Sequence, residues 1–221
     1  MTFAMKKRYI TSSFWHPADL GNMLFRFASL YGIGKNLGRI PYVNASIHLQ
    51  VKGLTEISEY FPLMHEYIEV KIPHESLVTT ANFSDVCCIY ETPKNLEKYK
   101  NVKYLKLSAN YLQSYKFFHQ YQMDIKKLME CSNSFKQKAD MIANKIWIKD
   151  KFSHKFCVHV RRGDFFYEPW PLETRMDFVN PAVEYIYKKL NDQLINDVSL
   201  LILGNDKNFI QNMTFPNLVK H

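Results

Sequence analysis

The chain opens on a run rich in β-branched and aromatic residues, Arg8-Tyr9-Ile10-Thr11-Ser12-Ser13-Phe14-Trp15, which predicts a strand. His16-Pro17-Ala18-Asp19 then reads as a turn. Beyond it the apolar period lengthens. Leu24, Phe27, Ala28 and Tyr31 recur at i, i+3, i+4 and i+7, one face of a helix. Gly32, Gly34 and Gly38 are expected to loosen and end that helix, and Ile40-Pro41-Tyr42-Val43 begins a second strand. Strand, crossover helix and strand in this order favour a parallel sheet.

The middle carries weaker signals. Val86 to Tyr90 and Val102 to Leu107 each predict a strand, with Pro62, Pro73 and Pro93 punctuating the connections. Phe117 to Glu130 and Phe135 to Ile148 predict helices, the second with Phe135, Ala139, Ile142 and Ile146 on one face. The polar stretch Lys149-Asp150-Lys151 marks a boundary between two domains.

The last part repeats the β-α-β order. Phe156, Val158 and Val160 alternate with Cys157, His159 and Arg161, the two-residue period of a strand. Asn180-Pro181 reads as a helix start, with Asn as N-cap and Pro at the first helical position. Val183, Ile186, Tyr187, Leu190 and Leu194 mark its apolar face. The run Val198 to Leu203 is apolar enough for a buried parallel strand, and Gly204-Asn205-Asp206 turns out of it.

Composition narrows the function. The 221 residues are 47% hydrophobic and 23% charged, which suits a packed core rather than disorder. A net charge of +8 suits anionic partners. The basic residues are scattered, though. The single basic triplet, Lys6-Lys7-Arg8, is too short for a nucleic-acid arm, and nucleic acid is not the expected partner. Cys87, Cys88, Cys131 and Cys157 form no C-x-x-C pair, so a zinc or thioredoxin-like site is not indicated. No apolar run reaches the roughly 18 residues that cross a bilayer. Asn44, Asn82 and Asn212 head N-x-[ST] sequons, which matter if the chain enters the secretory path.

The candidate chemistry lies in His159-Val160-Arg161-Arg162-Gly163-Asp164, at the end of a predicted strand. Open α/β sheets bind ligands beyond the carboxyl ends of their strands. Guanidinium is planar, permanently charged and bidentate toward phosphate. Alternation puts His159 and Arg161 on one side and Arg162 on the other, so one arginine is placed to hold a phosphate while the other pairs with Asp164 or carbonyls. An arginine pair engaged only in structural ion pairs is the competing reading. Glycine-rich phosphate loops and an Asp-x-Asp metal motif are absent, so side chains must supply the positive charge for any phosphate. Arg162-Gly163-Asp164 as an integrin ligand would need an exposed extracellular loop, and such triplets are common by chance.

The His-x-Arg-Arg-x-Asp pattern after a β-run resembles the first donor-binding motif of α1,2-fucosyltransferases, the family 11 glycosyltransferases. Leu20-Gly21-Asn22-Met23-Leu24-Phe25-Arg26-Phe27-Ala28 is similar to that family's opening motif, with Met23 where the family has Gln, and Leu203-Gly204-Asn205-Asp206 resembles its Phe-Ser-[Asp/Asn]-Asp strand end. The three stand in the family's order, in a style that resembles its nematode branch.

The resemblance implies an α/β fold of two facing Rossmann-like lobes (GT-B type). Residues 1–150 would form the acceptor-side lobe and residues 151–221 a truncated GDP-fucose-binding lobe. It implies metal-independent, inverting transfer of L-fucose from GDP-β-L-fucose to a galactose hydroxyl of a glycan, without a cofactor. The alternatives are a catalytically inactive fragment or pseudoenzyme that keeps the fold, and a basic nucleic-acid-binding α/β protein. Arg161 would hold the donor β-phosphate as the catalytic cation. His159 would be a positioning or core residue, Asp164 would orient the arginines, and Arg162 and Asp206 would join them on the donor side. Gly21 and Asn22 would shape the acceptor-side turn. Glu168 is a candidate base through proximity alone. The family also implies a Golgi setting and a membrane anchor that this chain does not show.

Overall fold

A parallel sheet of five strands, β1 (Tyr9–Ser12), β2 (Ile40–Asn44), β3 (Glu69–Lys71), β4 (Val78–Asn82) and β5 (Tyr104–Ser108), organises the N-terminal part in the spatial order β3-β2-β1-β5-β4. The computed structural model describes residues 7–13, 20–86, 89–166, 173–215 and 219–220. They fall into two units, Met1–Gln137 and Lys138–His221. The predicted turn His16 to Asp19, and Cys87 and Cys88, lie outside the described residues.

The expected first β-α-β unit is present as β1, α1 (Leu20–Leu37) and β2, with β1 and β2 parallel. Alternation gives the sheet two unlike faces. Ile10, Leu105, Leu107 and Ala81 point toward Leu30 and Ile33 of α1 and form one core. Tyr9, Tyr42 and Tyr104 cluster on the other face, Tyr9 and Tyr104 stacked with ring centroids 5.1 Å apart. A further core packs Met23, Phe27 and Tyr31 of α1 against α2 (His48–Tyr60) and α3 (Pro62–Glu66).

Two of the three glycines expected to loosen α1 have another role. Gly32 and Gly34 lie inside the helix. A Cβ on Gly32 would stand 2.8 Å from Phe118 Cα and closer still to the Phe117 carbonyl oxygen, and one on Gly34 2.7 Å from the Arg39 carbonyl oxygen. They let backbone pass against the helix. Gly38, at φ +60°, does end it. The Arg39 amide bonds the Gly34 carbonyl at 2.8 Å and the Gly38 amide bonds Lys35 at 3.3 Å, a Schellman cap. Arg39 is then buried, its guanidinium donating to the carbonyls of Tyr9, Val102 and Tyr99 at 3.1, 3.0 and 2.6 Å. Burial lowers its pKa to about 10.

The middle differs more. β5 lies where a strand was expected, but Val86, Ile89 and Tyr90 belong to no strand. Their place in the sheet goes to Val78–Asn82, whose burial does not follow a clean two-residue alternation. The helix expected from Phe117 to Glu130 is broken into two 3₁₀ turns and α4 (Gln122–Leu128). Helix α5 (Asn133–Ile146) forms as expected, yet none of its residues is buried.

In the second unit β6 (His154–Val160), β7 (Val198–Gly204) and β8 (Val219–Lys220) form a parallel sheet in that order. Helix α6 (Met176–Asp192) crosses from β6 to β7. It begins four residues before Asn180, and Pro181 sits inside it. Met176, Val179 and Val183 recur at helical spacing and pack into the core with Val160 and Leu200, so burial of the extra turn outweighs the amide that Pro181 lacks. At the opposite end of the strands from the motif, Ser153 and Ser199 share a 2.7 Å hydrogen bond, and both bond the Asp150 carboxylate.

Candidate functional site

The arginine motif lies at the carboxyl end of β6, where α/β sheets bind ligands. Val160 pairs with Gly204, so the loops leaving β6 and β7 start side by side. Two glycines make that approach feasible. A Cβ on Gly204 would be 2.6 Å from the Val160 carbonyl oxygen. Gly163 adopts φ +57°, and a Cβ there would reach the Asn205 side-chain amide.

The two arginines have different surroundings. The Arg162 guanidinium is committed to the scaffold. Its Nε donates to Asp206 Oδ2 at 3.0 Å, its Nη1 to the Thr174 carbonyl at 2.8 Å, and it lies over the Phe209 ring at 4.4 Å. The Arg162 amide donates to Asn205 Oδ1 at 3.0 Å. Asp206 also caps α7 (Lys207–Gln211), its Oδ1 accepting from the Phe209 amide at 2.9 Å. That backbone hydrogen bond, then the Arg162 side chain, holds the Asp206 carboxyl below its ordinary pKa.

Arg161 is fixed through its main chain. Its amide donates to Thr174 Oγ1 at 2.9 Å, and its carbonyl accepts from the Thr174 amide at 2.8 Å. Its guanidinium lies over the Phe165 ring at 4.5 Å. His159 is exposed on β6 and lines an apolar groove of about 860 Å³ between β6 and α6 with Phe156, Val158 and Phe178. Asp164 falls in the 3₁₀ turn Gly163–Phe166, its side chain outside the described set. Glu168 also lies outside the described residues. Thr174, which holds this loop, belongs to no motif in the sequence, and Asn205 is read there only as part of the turn after β7, without a role of its own. Only their partners across two strand ends reveal them.

The opening motif of the first unit becomes the start of α1. Gly21 is exposed with open space around it, and Asn22 Oδ1 accepts from Gln113 Nε2. Arg26, one turn on, is buried and lies under Tyr111 at 5.3 Å; burial lowers its pKa. Ser13 bonds both the amide and the carbonyl of Ala109, joining the carboxyl ends of β1 and β5. Gln50 joins β1 to β2, accepting from the Asn44 amide at 2.6 Å and donating to the Ser12 carbonyl at 3.1 Å. No sequence signal marked Gln50, a lone amide in a helix. Of the sequon residues, Asn82 and Asn212 are exposed and Asn44 is half-buried. Among the described residues no His, Cys, Asp and Glu cluster is arranged to hold a metal, and no helix is long and apolar enough to cross a membrane.

No family model matches the chain. Individual proteins do. A galactoside 2-α-L-fucosyltransferase of Caenorhabditis elegans is 29% identical over 209 residues, 91% of this chain and 49% of that protein. A second from the same organism is 31% identical over 170 residues, 76% of this chain and 46% of that protein. The galactoside α-(1,2)-fucosyltransferase 2 of Oryctolagus cuniculus is 24% identical over 149 residues, 66% of this chain and 38% of that protein. The chain thus spans about half the length, or less, of the curated relatives it matches. The arginine loop, the strand ends that hold it and these likenesses agree: the chain resembles the family 11 galactoside α1,2-fucosyltransferases, nematode members included.

Proposed function

We propose that the chain serves transfer of L-fucose from GDP-β-L-fucose to a hydroxyl of a terminal galactose, forming an α1,2 linkage with inversion and without a metal ion. The observation that carries this reading is the pair of arginines at the carboxyl end of β6, held beside the end of β7. Arg162 ties the β6 loop to the end of β7 through Asp206 and to the segment before α6 through Thr174. Arg161 sits beside it on a main chain pinned by Thr174. In this reading Arg161 meets the donor β-phosphate. Charge grows on that phosphate as the glycosidic C–O bond breaks, so a fixed guanidinium stabilises the transition state more than the ground state. The acceptor hydroxyl gives its proton to a base elsewhere in the protein.

Under this reading the chain carries two Rossmann-like lobes of a GT-B enzyme, residues 1–150 on the acceptor side and 151–221 on the donor side. The setting is the Golgi, and Asn82 and Asn212 are the sequons best exposed to carry glycans. GDP titration by calorimetry tests the donor assignment. Arg161→Ala should weaken GDP about tenfold or more, the size of a lost charge-assisted hydrogen bond. Unchanged GDP affinity in Arg161→Ala would remove the donor assignment.

A further inference from the structure

Two uncharged residues hold Arg161, one at its main chain and one at its guanidinium. Thr174 stands 13 residues beyond it and meets it twice. The Arg161 amide donates to Thr174 Oγ1 at 2.9 Å, and the Thr174 amide donates to the Arg161 carbonyl at 2.8 Å. The Thr174 carbonyl also accepts from Arg162 Nη1 at 2.8 Å, so one residue reaches both arginines. Packing puts Thr174 there. It directly precedes the N-cap of α6, whose first turn is seated in the core by Met176 and Val179.

Phe165 arrives from the other direction. Gly163, at φ +57°, reverses the chain after the arginines. The Phe165 amide then donates to the Arg162 carbonyl at 3.1 Å within the 3₁₀ turn Gly163–Phe166. That turn carries the Phe165 ring back to Arg161, whose guanidinium carbon lies 4.5 Å from the ring centroid. The negative face of the ring attracts the cation, and its flat surface limits the rotamers open to the side chain. Thr174 thus fixes where the Arg161 side chain starts, and Phe165 fixes where its guanidinium ends.

An arginine side chain has many rotamers, and freezing it when a ligand arrives costs affinity. A clamp made of a hydroxyl and a ring meets that cost at folding instead, and neither group sets a negative charge against the cation. We propose that Thr174 and Phe165 are positioning residues that preset the Arg161 guanidinium for the donor β-phosphate. The part played by the phosphate rests on the fucosyl-transfer reading; the clamp itself does not. Neither residue touches the ligand in this scheme, so both act only through Arg161.

The Arg161 Nε–H resonance of the full chain, assigned through its loss in Arg161→Ala, reads the clamp without any ligand, because a proton over an aromatic ring shifts upfield. Phe165→Leu should abolish that upfield shift and Thr174→Val should reduce it. Thr174→Ser and Phe165→Tyr, which keep the hydroxyl and the ring, should retain it. GDP titration reads the consequence. Phe165→Leu and Thr174→Val should each weaken GDP about three- to fivefold, with the two conservative variants binding like the parent. In the Arg161→Ala background neither substitution should weaken GDP further. An Nε–H resonance that Phe165→Leu and Thr174→Val leave in place, or GDP losses of equal size with and without Arg161, would overturn the positioning role. The expected shifts, in a chain whose Arg161→Ala variant binds GDP like the parent, would uphold the clamp and remove the donor assignment.

Discussion

Gly163→Ala tests whether backbone geometry, rather than the arginines alone, builds the donor loop. Gly163 holds φ +57°, and placing an L side chain there costs about 1–2 kcal/mol. The new Cβ would also run into Asn205 Nδ2. Asn205 can rotate away, but the same side chain accepts the Arg162 amide at 3.0 Å, so rotation gives up a hydrogen bond worth roughly 1 kcal/mol. The total is about 2–3 kcal/mol. At roughly 4–8 °C per kcal/mol for a domain of this size, the second unit should melt about 10–20 °C lower. The Arg161 main chain would lose its fixed frame, so GDP should weaken as well. Asn205→Ala removes the clash and the hydrogen bond together. The double variant should therefore fall well short of the summed single effects, because both changes remove one interaction. Differential scanning calorimetry and GDP titration read both quantities. A Gly163→Ala chain that melts and binds GDP like the parent would refute this loop geometry.

Two further outcomes follow from the fold. Gly32→Ala should destabilise the first unit by roughly 1–3 kcal/mol in urea unfolding, because the clash is with the Phe117–Phe118 backbone and outweighs the helix propensity of Ala; a gain in stability would show that the packing against α1 is loose. Asp206 has a lowered pKa, so its contribution is present above its unfolded value of about 3.9 and is lost as pH falls through the still lower folded value. Asp206→Asn should therefore flatten the loss of second-unit stability below about pH 4, with Asp150 retaining its own share; an unchanged acid profile would separate Asp206 from the stability of the loop.

How much of this was legible beforehand depended on how local the governing physics is. Both β-α-β units were readable, because α1 and β6 carry clean periods, β1 and β7 are runs of strand-forming residues, and neighbouring residues fix each. The arginine pair was readable as a phosphate candidate because its chemistry is intrinsic to guanidinium. The partners of Arg162 were not readable, since Thr174 and Asp206 lie 12 and 44 residues away. The start of α6 was misplaced because the Asn-Pro pair is a strong local signal, while the pull that overrides it, burial of Met176 and Val179, is tertiary. Gly32 and Gly34 looked like helix breakers for the same reason: only the backbones they meet, at Phe117 and Arg39, show why glycine is needed. The strand Val78–Asn82 escaped notice because its partner β5 supplies the hydrogen bonds that define it. The sequence by itself determined the parallel α/β character and the chemistry available at the end of β6. The tertiary structure decided which partners the two arginines meet, because those residues come together only after the strands have aligned.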